Sequence, residues 1–368
     1  MNILLLNWRD PANPLSGGAE YVTAQHAKYW VRCGDCVTWF SSTFRGAKSQ
    51  EITDGVTFVR RGNFISVFLF AAIYYFFHKS EVDIIVDQVH GVPFFALLYA
   101  KKPVILFVHE IAGRIWDFMY PAPICWVGKL LELFYLRVYQ NHVIWTDAES
   151  TVNELVSLGI ARNRCKAIPC PIASSPIAQW PKKNTELMCI FVGRIVRMKR
   201  IEDLLKAFAD IQKVFPKATF HIVGEGNASY VSMLNKVARE LQISDHVYWH
   251  GKVSEKKKLA IMGESHVLLH ASVKEGWGLV VLEAGSQWTP SVVYGVGGLV
   301  DTVKDGDTGI IVNSCSPHDL ARSVVDLYTN KHVYHHMQKR AHEWSGSFRW
   351  TDAVKQSRDL LYHVYEAE

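Results

Sequence analysis

Several things are scarce in this chain, and each scarcity removes a class of protein. The longest apolar stretch, residues 64–77, ends at His78-Lys79. That is short of the roughly 20 residues a bilayer span needs. Met1 runs straight into a strand-like segment, 2–7, with no secretory leader ahead of it. A cytoplasmic protein, or one lying on the cytoplasmic face of a membrane, is therefore expected. The net charge is only +5. Its basic residues are scattered and no recognition motif accompanies them, which argues against a nucleic-acid partner. Loose attraction to anionic lipid headgroups remains compatible with that charge. The cysteines are few and odd in number, seven, with no regular framework, as in a reducing compartment. Cys33-Gly34-Asp35-Cys36 is formally a C-x-x-C, but it falls between a helix end and a strand start, with Gly34 as the expected cap. No G-x-G-x-x-G is present, and the second strand, 37–40, ends at Ser41-Ser42 instead of the acidic residue that holds an NAD ribose. A nicotinamide dehydrogenase is disfavoured on both counts.

What is present reads as α/β. The 368 residues, 49% of them apolar and 20% charged, are enough for two domains with separate cores. Apolar strands at 2–7, 37–40, 56–59, 84–86, 104–108 and 143–145 alternate with helical segments, the pattern of a doubly wound parallel sheet. Ser16-Gly17-Gly18-Ala19-Glu20 follows the first strand, and Gly17 and Gly18 are expected to leave a helix start open to an anion or a sugar. His109 and Glu110 stand directly after strand 104–108, where ligands of such sheets bind; Gly113 and Arg114 share that loop. The apolar run 64–77 reads as a core or interdomain-facing helix, with a helix dipping into a membrane surface as the alternative. Residues 115–139, rich in Trp, Phe, Tyr and Leu, fit either an acceptor-facing or lipid-facing surface or a well-buried helix pair. The prolines of 168–172 mark a linker.

The second half is organised around 274–284, K-E-G-W-G-L-V-V-L-E-A. Glu275 and Glu283 bracket Gly276, Trp277 and Gly278, and a helix is expected from Leu279 with Gly278 as its N-cap. That arrangement offers a carboxylate for hydroxyls, a bare helix start for phosphate and a second carboxylate further in. Ahead of it, strand 187–192 leads into Gly193-Arg194 and Lys199, cations suited to a departing diphosphate. Gly224-Glu225-Gly226 and Gly251-Lys252-Val253 are further strand-to-helix turns, the second followed by the basic run 256–258. Asp305-Gly306-Asp307 is formally D-x-D, but it reads as a turn before strand 310–312, and no metal site is expected.

The stretch E-G-W-G-L-V-V-L-E-A resembles the E-x7-E motif of retaining glycosyltransferases of family 4. The resemblance is strongest over 191–309 and continues weakly to the amino terminus. It implies the GT-B fold: two Rossmann-like doubly wound domains facing a deep interdomain cleft. Residues 1–170 would take the acceptor and 171–349 the nucleotide sugar, with a last helix, 350–368, packing back on the first domain. By the same resemblance Arg194 and Lys199 hold the diphosphate and Glu275 binds a sugar hydroxyl. The backbone of Gly276, Trp277, Gly278, Leu279 and Val280 lies along sugar and phosphate, and Glu283 takes the ribose. Gly224 lies at the cleft edge, Val253 and Lys258 cover the base, His109 borders the reacting carbon, and Gly17 and Gly18 touch diphosphate or acceptor. Ser150 matches a family position at the crevice, whereas I-P-C-P-I departs from the family's I-P-N-G. The implied reaction moves a hexosyl group, with retention, from a UDP-sugar or GDP-sugar to a hydroxyl of a saccharide or lipid-linked acceptor. Neither a metal nor a separate cofactor is implied, and a membrane surface is a candidate partner. The alternatives are a nucleotide-sugar epimerase or hydrolase on the same fold, or a catalytically silent nucleotide-binding relative.

Overall fold

A computed structural model describes residues 1–174 and 176–367. The chain forms two compact units, Met1–Cys170 with Arg349–Glu368, and Pro171–Phe348. The first is built on eight strands: Asn2–Leu6 (β1), Cys36–Ser41 (β2), Gln50–Thr53 (β3), Val56–Arg60 (β4), Ile84–Val89 (β5), Val104–Val108 (β6), Val143–Thr146 (β7) and Cys165–Ala167 (β8). Their order is β3-β4-β2-β1-β5-β6-β7-β8. All pair in parallel except β3 with β4. That hairpin corrects the wholly parallel sheet expected from sequence. Its turn is Asp54-Gly55, both at positive φ, the two-residue connection whose twist suits an antiparallel pair.

The strands are continuous apolar runs because both faces are covered. Alternate residues of β1 show it: Leu4 and Leu6 join the core that includes Val67, Ala71, Tyr135 and Leu136, whereas Ile3 and Leu5 join the opposite core with Trp30 and Leu361. Helices Val67–His78 and Ile124–Val138 thus lie over one face, and Gly18–Arg32 and Trp350–Glu366 over the other. The last helix is fastened to the first by Ser357, which bonds His26 and the Trp30 indole, and by Arg358, which pairs with Asp35 at 2.7 Å. Helix Gly18–Arg32 ends at Gly34, φ +91°, and Cys36 then begins β2; both cysteines of the C-x-x-C are free thiols.

Helix Val67–His78 is not the buried element that its composition suggested. Val67, Ala71 and Tyr75 face the core, but Leu69 is 64% exposed and Phe77 73% exposed. Among the described residues, no helix is long and apolar enough to cross a membrane.

The second unit has six parallel strands: Met188–Val192 (β9), Thr219–Val223 (β10), Val247–Gly251 (β11), Val267–His270 (β12), Ser291–Tyr294 (β13) and Gly309–Val312 (β14). Their order is β11-β10-β9-β12-β13-β14, the doubly wound arrangement in which direction reverses between β9 and β12. Alternation again builds two cores, Cys189 and Phe191 entering one and Met188, Ile190 and Val192 the other.

Candidate functional site

The reversal of strand order opens a crevice beyond the carboxyl ends of β9 and β12, because the chains leaving them turn to opposite faces. The loop after β9 carries Gly193, Arg194 and Lys199, and the loop after β12 carries Lys274 to Gly278. Backbone and side-chain bonds join the two loops. Val273 N–H donates to Met198 O at 2.8 Å, and Ser272 Oγ bonds Met198 O at 3.3 Å and Lys274 O at 2.8 Å. The Lys199 ammonium pairs directly with the Glu275 carboxylate. His270, the last residue of β12, lies 3.3 Å from the same Glu275 oxygen. Burial alone would raise the Glu275 carboxyl, but Lys199 and then His270 outweigh it and hold the group below the ordinary glutamate value. Burial lowers the His270 imidazole to about 4, so the ring is neutral at pH 7.

Arg194 differs from its neighbours. It is exposed, and among the described residues its side chain has neither an ion-pair nor a hydrogen-bond partner. An exposed guanidinium with its donors unspent is suited to an incoming anion. Its loop is stitched to the turn after β10: Gly193 N–H donates to Val223 O at 3.0 Å and Ile195 N–H to Glu225 O at 2.7 Å. Gly224 makes that approach feasible, since a Cβ there would fall 1.8 Å from Gly193 O.

Helix Leu279–Ser286 begins beside these groups. Gly278 is its N-cap at φ +95° and ψ 44°, a left-handed conformation that a side chain would strain. The amides of Leu279 and Val280 open the helix and have no acceptor within it. Trp277 is buried, its ring edge-on to Phe348 at 5.4 Å. Glu283 lies further along, 2.8 Å from Lys258, which also pairs with Glu255 at 2.9 Å. Burial raises the Glu283 carboxyl against the pull of Lys258. Val253 is half-buried against the core beneath that helix. Thus Arg194, Lys199, Gly224, Glu275, Gly276 and Gly278 lie on loops that touch one another, with Leu279 opening the helix that follows and the Lys258–Glu283 pair on the flanking helices.

In the first unit the reversal lies between β1 and β5. His109, just after β6, is nearly buried. Its Nδ1 is 2.5 Å from Asp147 Oδ2, and its Nε2 is in contact with the Gln88 side-chain amide. Gln88 spends its other N–H on Thr23 Oγ1 at 2.7 Å and accepts from Asn7 at 2.6 Å. The pattern is complete only if Gln88 donates to Nε2 and Nδ1–H donates to Asp147, which fixes both tautomer and ring plane. Sequence reading named His109 but missed Gln88 and Asp147. A signal existed: polar D-Q inside the apolar run I-I-V-D-Q-V, with Gln88 fully buried.

Gly17 is the N-cap and Gly18 the first residue of helix Gly18–Arg32, but that helix start is not bare. Glu20 accepts from Gly17 N–H at 2.7 Å, and its other oxygen pairs with Arg9 at 2.9 Å and lies 3.3 Å from His90. Ser150 falls in helix Glu149–Ser157. Asp305 and Asp307 are spent locally: Asp305 accepts from Ile311 N–H at 2.8 Å, and Asp307 pairs with Arg340 at 2.8 Å. Among the described residues, no three His, Cys, Asp or Glu side chains converge as a metal site.

Comparison with known proteins agrees with this division. Residues 16–175 match the model described as Glycosyltransferase Family 4, and residues 175–344 match Glycosyl transferases group 1. Both halves of the chain are therefore similar to glycosyltransferases. A D-inositol 3-phosphate glycosyltransferase from Corynebacterium aurimucosum is 30% identical over 182 residues, 48% of this chain and 43% of that protein. The match spans less than half the length of each of the first curated relatives, 43%, 46% and 40%. Sucrose-phosphate synthase from Thermosynechococcus elongatus superposes with a TM-score of 0.82 at 18% identity, covering 100% of both chains. HepE of Anabaena, solved with UDP and glucose, superposes with a TM-score of 0.73 at 17% identity over 99% of this chain and 100% of its own. Likeness over the whole chain establishes the GT-B fold that the E-x7-E stretch implied.

Proposed function

We propose that this chain is a retaining glycosyltransferase that moves a hexosyl group from a nucleotide sugar to a hydroxyl of a saccharide or lipid-linked acceptor. The observation that carries the reading is the meeting of Lys199 with Glu275 beside the unpaired Arg194 and the start of helix Leu279–Ser286. Arg194, Lys199 and the helix start would hold the diphosphate. In the transition state the bond from C1 to the phosphate oxygen breaks and negative charge grows on the leaving diphosphate, where fixed cations and amide dipoles stabilise it best. Lys199 would move from Glu275 to that oxygen, freeing the carboxylate for a sugar hydroxyl. The acceptor oxygen bonds to C1 on the same face, and its proton passes to the departing phosphate oxygen. No side-chain nucleophile is invoked.

Glu283 is assigned to the ribose. Val253 and Lys258 are assigned to the base. The first unit is assigned the acceptor, with His109 as its sugar-side group, its Nδ1 held against Asp147. Gly17 and Gly18 are assigned to the acceptor loop. UDP is the favoured nucleotide, because HepE was solved with UDP and glucose. The charge on the diphosphate is met by side chains and the helix start, so a metal-independent reaction is expected, in the cytoplasm or at its membrane face. Incubation with UDP-sugars and GDP-sugars, with hydrolysis and epimerisation read in parallel, tests the assignment. Free sugar or epimer without a transfer product would favour the rival chemistry.

A further inference from the structure

A helix that is apolar on all sides normally has a partner on all sides. Helix Val67–His78 carries no charged residue from Val67 to Phe77, yet only Val67, Ala71 and Tyr75 are buried. Leu69, Phe70, Ile73, Phe76 and Phe77 are exposed. Helix Ile124–Val138 repeats the pattern. Cys125, Gly128, Tyr135 and Leu136 face the core, and Trp126, Val127, Leu130, Leu133 and Phe134 face outward, Leu130 at 67% exposure.

The two helices cover the same face of the first sheet. The segment between β5 and β6 joins them. Phe94 packs on Phe68 at 4.8 Å, Phe95 on Phe134 at 6.5 Å, and Leu98, 67% exposed, projects from the same segment. Charge on these segments is mostly of one sign. Lys79, Lys101, Arg114 and Arg137 are exposed, whereas the acidic residues of 64–79, 94–102 and 114–138 are two. Of these, Asp117 is paired with Lys129 at 2.7 Å and Glu132 is buried. Apolar and aromatic side chains edged by unopposed cations fit an anionic lipid surface better than a second copy of the same cationic face.

We infer that the outer faces of helices Val67–His78 and Ile124–Val138 form one lipid-docking surface that seats the first unit on an anionic membrane. The proposal rests on the transferase reading only for its purpose, presentation of a lipid-linked acceptor. Glu132 connects the surface to the candidate site. From the buried side of helix Ile124–Val138 its carboxylate accepts from Ala112 and Gly113 N–H, both at 2.7 Å, and so pins the loop that begins at His109. The helix that meets the lipid is thereby the one that holds the acceptor-side loop.

The test is co-sedimentation of the full chain with phosphatidylcholine vesicles with and without phosphatidylglycerol. The parent is expected to pellet with the anionic vesicles and to release as salt is raised. A Leu69→Ser, Phe76→Ser, Leu130→Ser variant should stay in the supernatant with its thermal melt unchanged. Should that variant fail to fold, Leu69→Ser and Leu130→Ser alone should each reduce the pelleted fraction. A parent that remains in the supernatant overturns the inference. So does a parent found by light scattering to be a dimer that the substitutions dissociate, since a second copy would then cover the face. A thermal shift with UDP, read on the same samples, reports on the transferase reading separately.

Discussion

Lys199 and Glu275, 76 residues apart in the chain, form an ion pair at the point where the strand order of the second sheet reverses. The pair holds a cation and a carboxylate together on the loops after β9 and β12, with the exposed Arg194 on the same loop as Lys199. In the proposed reaction, breaking the pair on substrate arrival would give each partner a new counterpart.

Glu275→Gln should cut transfer by about a hundredfold or more, the scale of losing one preorganised polar contact in a transition state. Affinity for the nucleoside diphosphate should change little, because the proposed contact is to the sugar. Steady-state turnover with calorimetric binding of UDP separates the two, and unchanged turnover would remove Glu275 from the chemistry.

Arg194→Ala should weaken nucleoside diphosphate and nucleotide sugar together by about 1.5–3 kcal/mol, the worth of hydrogen bonds to a charged group. Its side chain is exposed and unpaired among the described residues, so the melting temperature should stay where it is. Calorimetry checks the first outcome and a melt the second; equal affinity would refute the diphosphate role.

Asp147→Asn should lower turnover while leaving donor binding intact. The amide can donate to Nδ1 in place of accepting from it, which turns the His109 tautomer around and sets Nε2–H against the Gln88 amide. A rate unaffected by the substitution would show that the orientation of His109 is immaterial.

Stability should fall as pH drops from 7 toward 5. Burial lowers His26 to about 3 and His270 to about 4, so both protonate more readily in the unfolded chain than in the fold. Where the unfolded state binds more protons, stability rises with pH; the contribution is complete above the unfolded value near 6.5 and is lost on acidification. Asp87 opposes this, since burial raises it to about 6 and favours the fold as pH falls through that value. His221 and His266, each lowered by burial to about 4, act with His26 and His270, whereas Glu283, raised by burial, sides with Asp87; four histidines against two carboxylates leave the net slope downward on acidification. Melts across the range should show it, and His26→Gln should make the slope shallower; a flat or rising profile in the parent would contradict the buried neutral rings.

Much of the fold was legible because parallel strands covered on both faces must be nearly all apolar, and β1, β6, β9 and β12 are. Strand β3, Q-E-I-T, was not, since an edge strand with one solvated side lacks that signature, and only Asp54-Gly55 betrayed the hairpin. The stretch 274–284 could be singled out as a candidate site from its glycines and glutamates. That Lys199 would be the partner of Glu275 could not, because pairing across a sheet depends on strand order, which spacing along the chain does not encode. Whether helices Val67–His78 and Ile124–Val138 turn apolar faces outward stayed open between two readings for a related reason: an apolar residue declares that it avoids water, not what covers it.

Chelation should leave transfer intact, because cationic side chains and a helix start supply the charge assigned to the diphosphate. Activity measured before and after EDTA treatment checks it, and loss that Mg²⁺ or Mn²⁺ restores would reopen a metal role.

The central claim is that the crevice beyond β9 and β12 grips a nucleoside diphosphate, and a thermal-shift series over UDP, GDP, ADP and uridine tests it most directly. A ligand that binds only the folded state raises the melting temperature. The account predicts a rise with one nucleoside diphosphate, no comparable rise with uridine, and loss of the rise in Arg194→Ala. Melting temperatures indifferent to all three diphosphates, or a rise with uridine as large as with UDP, would contradict it.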